Sequence, residues 1–262
     1  MKTNIIFFDI DGTILSHRNH TISDSTIAAI RKAQENGHLA FVNTGRSYAE
    51  INKEIKELGF DGFVCGCGTY IRHGNDDLLH TPIPTEVCHK LVADLRQYPV
   101  DAVLEGTHTI YFNEDPPFSV LQEQKEFFRH QLKFNIKSWD DPQLSFDKFS
   151  VWYENLDSIR GFIDKYSDMF DFMYHGGNFI EIIPKGYSKA TGIEFLISHL
   201  NIPHENTYAL GDSINDLSML NYVKNSIGMG NSHEDIMEIV SFLTKDVDEE
   251  GVAHALKYFK II

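Results

Sequence analysis

Apolar residues along the chain follow two patterns that alternate over the first 65 positions. Short uninterrupted runs, such as NIIFF near the start, are typical of buried strands. Between these runs, apolar residues recur every three or four positions, as in SDSTIAAIRKAQENG. There Ser23 is a candidate N-cap and Gly37 is placed to end a helix. The alternation predicts an α/β fold in which parallel strands carry helices on their faces.

A second helix is predicted in SYAEINKEIKELG. Ser47 and Glu50 have the spacing of a capping box, and Gly59 is placed to stop the helix. The runs HLAFVN before this stretch and DGFVCG after it are predicted strands. The first 65 residues therefore contain three strands separated by two helices.

The pattern changes in the middle of the chain. The stretch TYIRHGNDDLLHTPIP is typical of a hairpin, and Pro82 and Pro84 mark a boundary after it. Residues 85–183 then mix helical stretches with alternating strands, and the α/β pattern resumes after Pro184. We therefore predict a doubly wound (Rossmann-like) parallel-sheet core built from residues 1–83 and 185–262, with an inserted α+β cap domain at 84–184.

Composition and charge narrow the range of partners. The net charge of −15 opposes binding to nucleic acid or to an anionic membrane, because both require a basic surface. Neither a signal peptide nor a run of about 18 apolar residues is evident, so we expect a cytoplasmic protein without membrane association. Three cysteines without a C-x-x-C pair indicate free thiols. We expect a monomer or a weak homodimer.

Small polar clusters follow three of the predicted strands. They are Asp9, Asp11, Gly12 and Thr13 after the first strand, Thr44, Gly45 and Arg46 after the second, and Gly211, Asp212, Asn215 and Asp216 after the TYAL strand. Ligands bind at the carboxyl ends of parallel strands, where these clusters are expected to converge. Several carboxylates would then share one mouth and repel one another unless a cation lies between them.

Oxygen ligands of this kind suit Mg²⁺, which also binds phosphate oxygens. Lys189, at the start of a predicted helix, adds a positive charge next to a helix N-terminus, and both features favour an anion. The sequence therefore predicts a site for Mg²⁺ that would also attract a phosphate group.

Simpler interpretations exist for each cluster taken alone. Asp9 and Asp11 could form an Asx turn, and Lys189 could be a surface lysine. An EF-hand is excluded, because the positions that require Gly and Glu, counted from Asp9, are Ile14 and His20. The order and placement of all the clusters together favour a catalytic site.

The motifs DIDGT, NTGR, the lysine of YSKATG, and GDSINDLSML resemble the four motifs of the haloacid dehalogenase superfamily of phosphohydrolases. The insert between the second and third motifs resembles the α/β cap of the Cof-type subfamily, as do MGN at 229–231 and DEEGVAHAL near the C-terminus. The resemblance covers nearly the whole chain and is strongest in the core. It implies a phosphatase that acts through an aspartyl-phosphate.

The resemblance also implies a role for each acidic residue. Asp9 would be the nucleophile that attacks phosphorus, and Asp11 would protonate the leaving oxygen and then deprotonate the attacking water. Mg²⁺ would be held by Asp9, by Asp212 and by the backbone carbonyl of Asp11. Asp216 would lie close to the metal.

Phosphate and substrate contacts are implied in the same way. Thr44, Gly45 and Lys189 would hold the phosphoryl oxygens, and Asn215 would help to orient the group. Arg46, Cys67 and Gly68 would reach substrate or cap, although a salt bridge at the domain boundary is an equally good interpretation of Arg46. Many Cof-type relatives carry Asn-Gly where this chain has CGCGT, so Cys67 departs from the family pattern.

These features predict a Mg²⁺-dependent phosphatase of small metabolites, with sugar phosphates as the leading class. A phosphomutase would use the same aspartyl-phosphate chemistry, and a non-catalytic metabolite-binding protein is a further alternative. Five residues in cap strands or turns are candidates for sugar contacts or for ordinary surface. They are His108, Tyr111, His175, Asn178 and Glu181.

Overall fold

A computed structural model describes residues 3–174 and 177–262 of the chain. It divides into two compact units. The first, here called the core unit, contains residues up to Gly45, Glu54–Leu78 and Ser188–Ile262. The second, here called the insert unit, contains Arg46–Lys53 and Leu79–Tyr187. These bounds differ from the predicted ones at both ends of the insert, and they move residues 46–53 out of the core.

Strands and helices are numbered separately in chain order over the described residues. The strands are β1 Ile5–Phe8, β2 Leu39–Asn43, β3 Gly62–Cys65, β4 Tyr70–His73, β5 Asp76–His80, β6 Val100–Glu105, β7 Ile110–Phe112, β8 Ile136–Ser138, β9 Lys148–Tyr153, β10 Phe170–Tyr174, β11 Phe179–Pro184, β12 Thr207–Gly211, β13 Asn225–Gly228 and β14 Phe242–Leu243. The helices are α1 Asp24–Glu35, α2 Lys53–Lys56, α3 Thr85–Leu95, α4 Ser119–His130, α5 Arg160–Tyr166, α6 Lys189–His199, α7 Leu217–Tyr222, α8 Glu234–Ile239 and α9 Gly251–Tyr258.

The larger sheet has the strand order β14-β13-β12-β1-β2-β3-β4-β5. Strands β14 to β3 of this series pair in parallel, and β4 is antiparallel to β3. From β1 the chain adds β2 and β3 on one side, and later β12, β13 and β14 on the other. The predicted doubly wound parallel sheet is therefore confirmed.

The reversal of strand order lies between β1 and β12. Phe8 at the end of β1 pairs with Val42 of β2 and Leu210 of β12, so the three strands end at the same edge of the sheet. In open parallel sheets this reversal point is where ligands bind, because the connections leave in opposite directions and open a crevice. Asp9 and Asp212 directly follow the two strands that flank it.

The insert unit contains a mixed sheet with the strand order β10-β11-β9-β6-β7-β8. Successive side chains of a strand point to opposite faces. Leu104 of β6 packs in a cluster with residues of α3 and α5, whereas Val103 packs with Leu121 of α4. The predicted α+β insert is thus a sheet with apolar clusters on its two faces.

The first predicted helix is confirmed, and its cap has the expected geometry. Ser23 is the N-cap of α1 and accepts a hydrogen bond from the Thr26 backbone N–H at 3.2 Å. The second predicted helix is wrong as a continuous element. Residues 48–50 form one 3₁₀ turn, Ile51 has an extended backbone, and α2 begins only at Lys53. The chain changes from the insert unit to the core unit at this point, which local periodicity does not encode.

Within residues 3–174 and 177–262, we find no helix with both the length and the apolar character needed to cross a membrane.

Candidate active site

A buried lysine joins two buried aspartates at the carboxyl edge of the core sheet. The Lys189 Nζ donates to Asp9 Oδ1 at 2.7 Å and to Asp216 Oδ1 at 2.5 Å. The three side chains are almost completely buried. Residues far apart in sequence are thus brought together by β1, by the N-terminus of α6 and by the turn that follows β12.

The start of α6 fixes the lysine. Ser188 is the N-cap and accepts a hydrogen bond from the Thr191 N–H, while Thr191 Oγ1 accepts one from the Ser188 N–H. Asn43, the last residue of β2, donates from Nδ2 to the Lys189 carbonyl at 3.0 Å. These bonds anchor the first turn of the helix to the sheet, so that the lysine side chain extends toward Asp9.

The turn after β12 is held by Asp216. Its Oδ2 accepts from the backbone N–H groups of Asp212 and Ser213 at 2.9 and 3.1 Å. The Asp212 Oδ1 accepts in turn from Thr13 Oγ1 at 3.0 Å. Because both oxygens of Asp216 already accept hydrogen bonds, this carboxylate fixes the loop and the lysine at the same time.

Burial disfavours ionised carboxyl groups, and the site contains several. Burial, followed by the charge of Asp216, raises the pKa of Asp9 well above its usual value, although Lys189 opposes the shift. The same two causes raise the pKa of Asp212 to about 7. Burial lowers the pKa of Lys189, but Asp216 and Asp9 outweigh it and hold the pKa above the usual lysine value. The lysine is therefore charged.

One ammonium group cannot balance this many acids, and the donor set suits a hard cation. Asp9, Asp212 and Asp216 each offer a carboxylate oxygen, and these oxygens lie within 4.8 Å of one another. All three residues are buried, so their mutual repulsion is weakly screened. Buried oxygen donors at this spacing fit Mg²⁺.

Asp11 lies outside this group of three but close to it. The residue is half-buried, and its charge contributes to the raised pKa values of Asp9 and Asp212. Asn215 lies on the other side, where its Oδ1 accepts from Ser213 Oγ at 2.7 Å and faces Lys189 Nζ at 3.4 Å. The structure therefore gathers Asp9, Asp11, Asp212, Asp216, Asn215 and Lys189.

Gly12 shows how tightly the first loop is packed. Its φ is +78°, and a Cβ placed there would lie 2.3 Å from Asp212 Oδ2 and 2.7 Å from His17 Nε2. Only glycine fits both this conformation and this space. The loop backbone is held further by Asn231, which donates from Nδ2 to the Gly12 carbonyl at 2.8 Å and accepts from the Val247 N–H at 2.9 Å.

Thr44 and Gly45 follow β2 at the same edge of the sheet. Thr44 is buried, its N–H donates to the Val64 carbonyl and its carbonyl accepts from the Cys67 N–H. This last bond connects the second motif to the turn at residues 66–68.

The turn at residues 66–68 packs against the start of α6. Cys67 has a φ of +54°, which is uncommon for a residue with a side chain, and it is buried. A Cβ at Gly68 would lie 2.6 Å from the Ser188 carbonyl oxygen. The turn therefore supports the lysine-bearing helix, a function that the prediction of substrate contacts for Cys67 and Gly68 did not include.

Arg46 belongs to the insert unit, where its Nη1 donates to the Glu50 carbonyl at 3.3 Å. The five cap residues that are candidates for sugar contacts lie in different surroundings. His108 and Asn178 are exposed, Tyr111 packs in the apolar cluster of the insert, and Glu181 forms a buried ion pair with Lys148 at 2.6 Å. His175 lies outside the described residues.

Three residues that support the site were not assigned a role from the sequence. Asn43 is the polar last residue of an otherwise apolar strand. A buried amide in that position was the signal that could have identified it as a supporting residue. Asn231 was noted only as part of the MGN resemblance. His17, whose Nε2 lies 3.9 Å from Asp212 Oδ2, follows the first motif in an exposed loop and carried no signal.

Comparison with known families gives a consistent result. Residues 6–256 match the haloacid dehalogenase-like hydrolase family. The YkrA protein of Bacillus subtilis is 30% identical over 98% of this chain and 98% of its own. From the same organism, the 5-amino-6-(5-phospho-D-ribitylamino)uracil phosphatase YitU is 28% identical over 99% of both chains.

Solved structures agree with the sequence relatives. The sugar phosphatase BT4131, described as a member of subclass IIB of the haloacid dehalogenase superfamily, superimposes with a TM-score of 0.81. It is 26% identical, and the match covers 99% of this chain and all of that one. The likeness therefore extends over the core and the insert alike.

Proposed function

Because the chain belongs to the haloacid dehalogenase-like hydrolase family, we propose that it is a Mg²⁺-dependent phosphatase of small cytoplasmic metabolites. Its broader class, a phosphoric monoester hydrolase, follows from the family and from the phosphatases among its full-length relatives. The observation that carries the proposal is the buried contact between Lys189 and Asp9. It supplies a nucleophilic carboxylate and a fixed positive charge at one point.

Asp9 is proposed to attack the phosphorus atom of the substrate. A bond forms between a carboxylate oxygen and phosphorus as the bond to the leaving oxygen breaks, and Asp11 gives its proton to that oxygen. In the second half, Asp11 takes a proton from water, the water oxygen bonds to phosphorus, and the bond to Asp9 breaks. Free phosphate and the original carboxylate result.

The charged residues around Asp9 have proposed roles in this displacement. Lys189 favours the ionised form of Asp9 and is placed to neutralise charge on the phosphoryl oxygens. Thr44 and Gly45 are proposed to contact those oxygens, and Asn215 to orient the group. Phosphoryl transfer depends mainly on positioning and charge stabilisation, which this arrangement supports.

Asp9 and Asp212 are proposed to hold Mg²⁺, with the Asp11 carbonyl as a third protein ligand. Asp216 keeps the turn and Lys189 in place, since its oxygens already accept hydrogen bonds. When bound, the cation offsets the repulsion among the carboxylates and neutralises charge on the phosphoryl group.

Sugar phosphates are the proposed substrate class. BT4131 is a sugar phosphatase, and YitU acts on a phosphorylated ribityl compound, so two full-length relatives act on small phosphorylated polyols or sugars. The strong negative charge of this chain argues against polymeric nucleic acid as substrate.

The test is phosphate release by the purified protein from sugar phosphates, nucleotides and a simple aryl phosphate, with Mg²⁺ and with chelator. We expect Mg²⁺-dependent release that favours a few sugar phosphates. Release that is unchanged by chelator would contradict the role of the metal. Transfer to a second sugar without free phosphate would indicate a mutase instead.

A further inference from the structure

Residues 229–233, here called the support segment, contact both motifs that carry the proposed metal ligands. The segment follows β13 and belongs to the core unit. Its first and last residues donate backbone hydrogen bonds to the carbonyls of Gly211 and Asp212, at 3.1 and 2.9 Å. Between these two bonds, Asn231 contacts Gly12 in the first motif. The support segment therefore connects two motifs that are about 200 positions apart in the chain.

The side-chain amide of Asn231 makes one hydrogen bond as a donor and one as an acceptor. Its Nδ2 donates to the Gly12 carbonyl at 2.8 Å, and its Oδ1 accepts from the Val247 N–H at 2.9 Å. A carbonyl can only accept and a backbone N–H can only donate, so these two partners fix the orientation of the amide. Asn231 thus ties the first motif to the 3₁₀ turn at Val247–Glu249.

The turn that donates to Asn231 is itself held in place. Asp246 caps it by accepting from the Asp248 N–H at 2.8 Å. The Gly230 N–H donates to the Lys245 carbonyl at 2.9 Å, and a Cβ at Gly230 would lie 2.5 Å from the Asp246 nitrogen. The support segment and the turn are therefore in close backbone contact, which gives Asn231 a fixed anchor.

Gly12 joins two peptide planes next to the proposed metal site. The first plane contains the Asp11 carbonyl, a proposed metal ligand, and the Gly12 N–H, which donates to the Leu15 carbonyl at 2.9 Å. The second plane contains the Gly12 carbonyl, which accepts from Asn231. Glycine restricts the angle between its two planes less than any other residue. The bond from Asn231 supplies a restriction that the backbone of Gly12 lacks.

The second plane also determines where Thr13 lies. The Thr13 N–H donates to the Ile10 carbonyl at the longer distance of 3.3 Å, and Thr13 Oγ1 donates to Asp212 Oδ1 at 3.0 Å. Rotation of this plane would move Thr13 relative to Asp212 and change the spacing between Asp212 and the Asp11 carbonyl. Both groups are proposed ligands of the same cation.

We propose that Asn231 is a positioning residue for Mg²⁺, because it holds the Gly12 carbonyl and thereby fixes the Asp11 carbonyl relative to Asp212. Mg²⁺ demands near-ideal octahedral geometry, so a small change in ligand spacing weakens its binding. This role rests on the Mg²⁺-dependent phosphatase function proposed above. Asn231 acts through Gly12, so its loss should weaken Mg²⁺ binding more than it lowers turnover at saturating Mg²⁺.

Titration calorimetry with Mg²⁺ on the purified protein is the first test, and it requires no turnover. Asn231→Ala removes both hydrogen bonds of the amide and should weaken Mg²⁺ binding about tenfold. Asn231→Asp keeps the acceptor for the Val247 N–H but places a carboxylate oxygen opposite the Gly12 carbonyl. A negative charge added near the site would by itself strengthen cation binding. The positioning role predicts weaker binding in this variant too.

A matched control separates positioning from general loss of stability. Asn206 is buried in the core unit and donates from Nδ2 to the Thr3 carbonyl at 3.2 Å. It directly precedes β12, at the end of that strand opposite to Asp212. Asn206→Ala should lower the urea midpoint about as much as Asn231→Ala does and leave Mg²⁺ affinity at the wild-type level. If Asn231→Ala does not fold, Asn231→Asp, which retains one of the two bonds, carries the test.

Steady-state kinetics on a phosphate ester that the protein hydrolyses give the second readout. Asn231→Ala should need about tenfold more Mg²⁺ for its half-maximal rate, with kcat at saturating Mg²⁺ within about twofold of wild type. Wild-type Mg²⁺ affinity in Asn231→Ala, stronger binding in Asn231→Asp, or an equal loss of affinity in Asn206→Ala would overturn the proposal. Failure of the phosphatase function would appear separately, as absence of phosphate release from the wild-type protein.

Discussion

The ammonium group of Lys189 lies 2.7 Å from Oδ1 of Asp9, and both side chains are almost completely buried. A buried charge is costly unless it is paired, so each residue accounts for the presence of the other. Asp216 receives a second hydrogen bond from the same lysine. The site is therefore a charge network whose members should not be removable one at a time without loss.

Lys189→Met should destabilise the protein strongly, because it leaves Asp9 and Asp216 buried without their cation. Breaking a buried pair in this way costs about 3–5 kcal/mol of unfolding free energy. Mg²⁺ should recover part of the loss, and phosphatase activity should be absent. Urea unfolding with Mg²⁺ and with chelator measures the effect. Lys32→Met, which removes an exposed pair with Glu35, is the control and should cost about 1 kcal/mol or less.

Gly12→Ala should abolish metal binding and activity. The added Cβ would lie 2.3 Å from Asp212 Oδ2, so the carboxylate must leave its place. Gly37→Ala is the matched control, since Gly37 has a similar φ of +85° but no atom within 4 Å of the added Cβ. It should cost about 1–2 kcal/mol from backbone strain and leave Mg²⁺ affinity unchanged. Titration calorimetry with Mg²⁺ distinguishes the two, and equal affinities in both variants would contradict the described packing.

Asp101 should make the insert unit less stable as pH rises. The residue is fully buried in β6, and burial raises its pKa from 3.8 to about 6. The folded state therefore holds the proton more tightly than the unfolded state, and stability is lost between about pH 4 and pH 6. A shift of this size corresponds to at most about 3 kcal/mol.

Asp101→Asn removes this penalty and should stabilise the insert more at pH 8 than at pH 4. Both tryptophans of the chain, Trp139 and Trp152, lie in the insert unit, so their fluorescence during urea unfolding reports on it. A stability difference that does not change with pH would show that folding leaves the pKa of Asp101 unchanged, against the expectation.

Asp11→Asn should slow both halves of the reaction, because the amide can neither give nor take a proton. We expect a loss of about 10²–10⁴-fold in turnover, with the fold and Mg²⁺ affinity close to wild type. Rapid mixing with substrate should show a phosphorylated protein that decays slowly. Wild-type turnover in this variant would transfer the acid and base role to another residue.

Much of the core could be predicted from the sequence, because there local signals and tertiary structure agree. The runs of β1, β2 and β3 are almost entirely apolar and buried, as expected for strands covered on both faces, and Ser23 and Ser188 are helix caps that a short sequence window reveals. Asp9 and Asp212 follow strands that end at the same edge, so their proximity follows from the parallel sheet.

The parts that could not be predicted depend on long-range contacts. The stretch after Ser47 has helical spacing, but residues 46–53 belong with residues 79–187 in the insert unit, Glu50 is buried there, and the helix is broken at Ile51. Asn43 was missed for a similar reason, since its partner is the backbone of Lys189. Periodicity reports which face a residue lies on and not which distant group it contacts.

The central claim is that Asp9 becomes phosphorylated during turnover. The direct measurement uses a sugar phosphate that the protein is found to hydrolyse. The reaction is quenched rapidly with acid during turnover, and the protein is then reduced with borohydride and analysed by peptide mass spectrometry. Reduction converts an aspartyl-phosphate to homoserine, so the mechanism predicts homoserine at position 9, more of it in Asp11→Asn, and none in Asp9→Asn. Homoserine at another position, or none during active turnover, would contradict the mechanism.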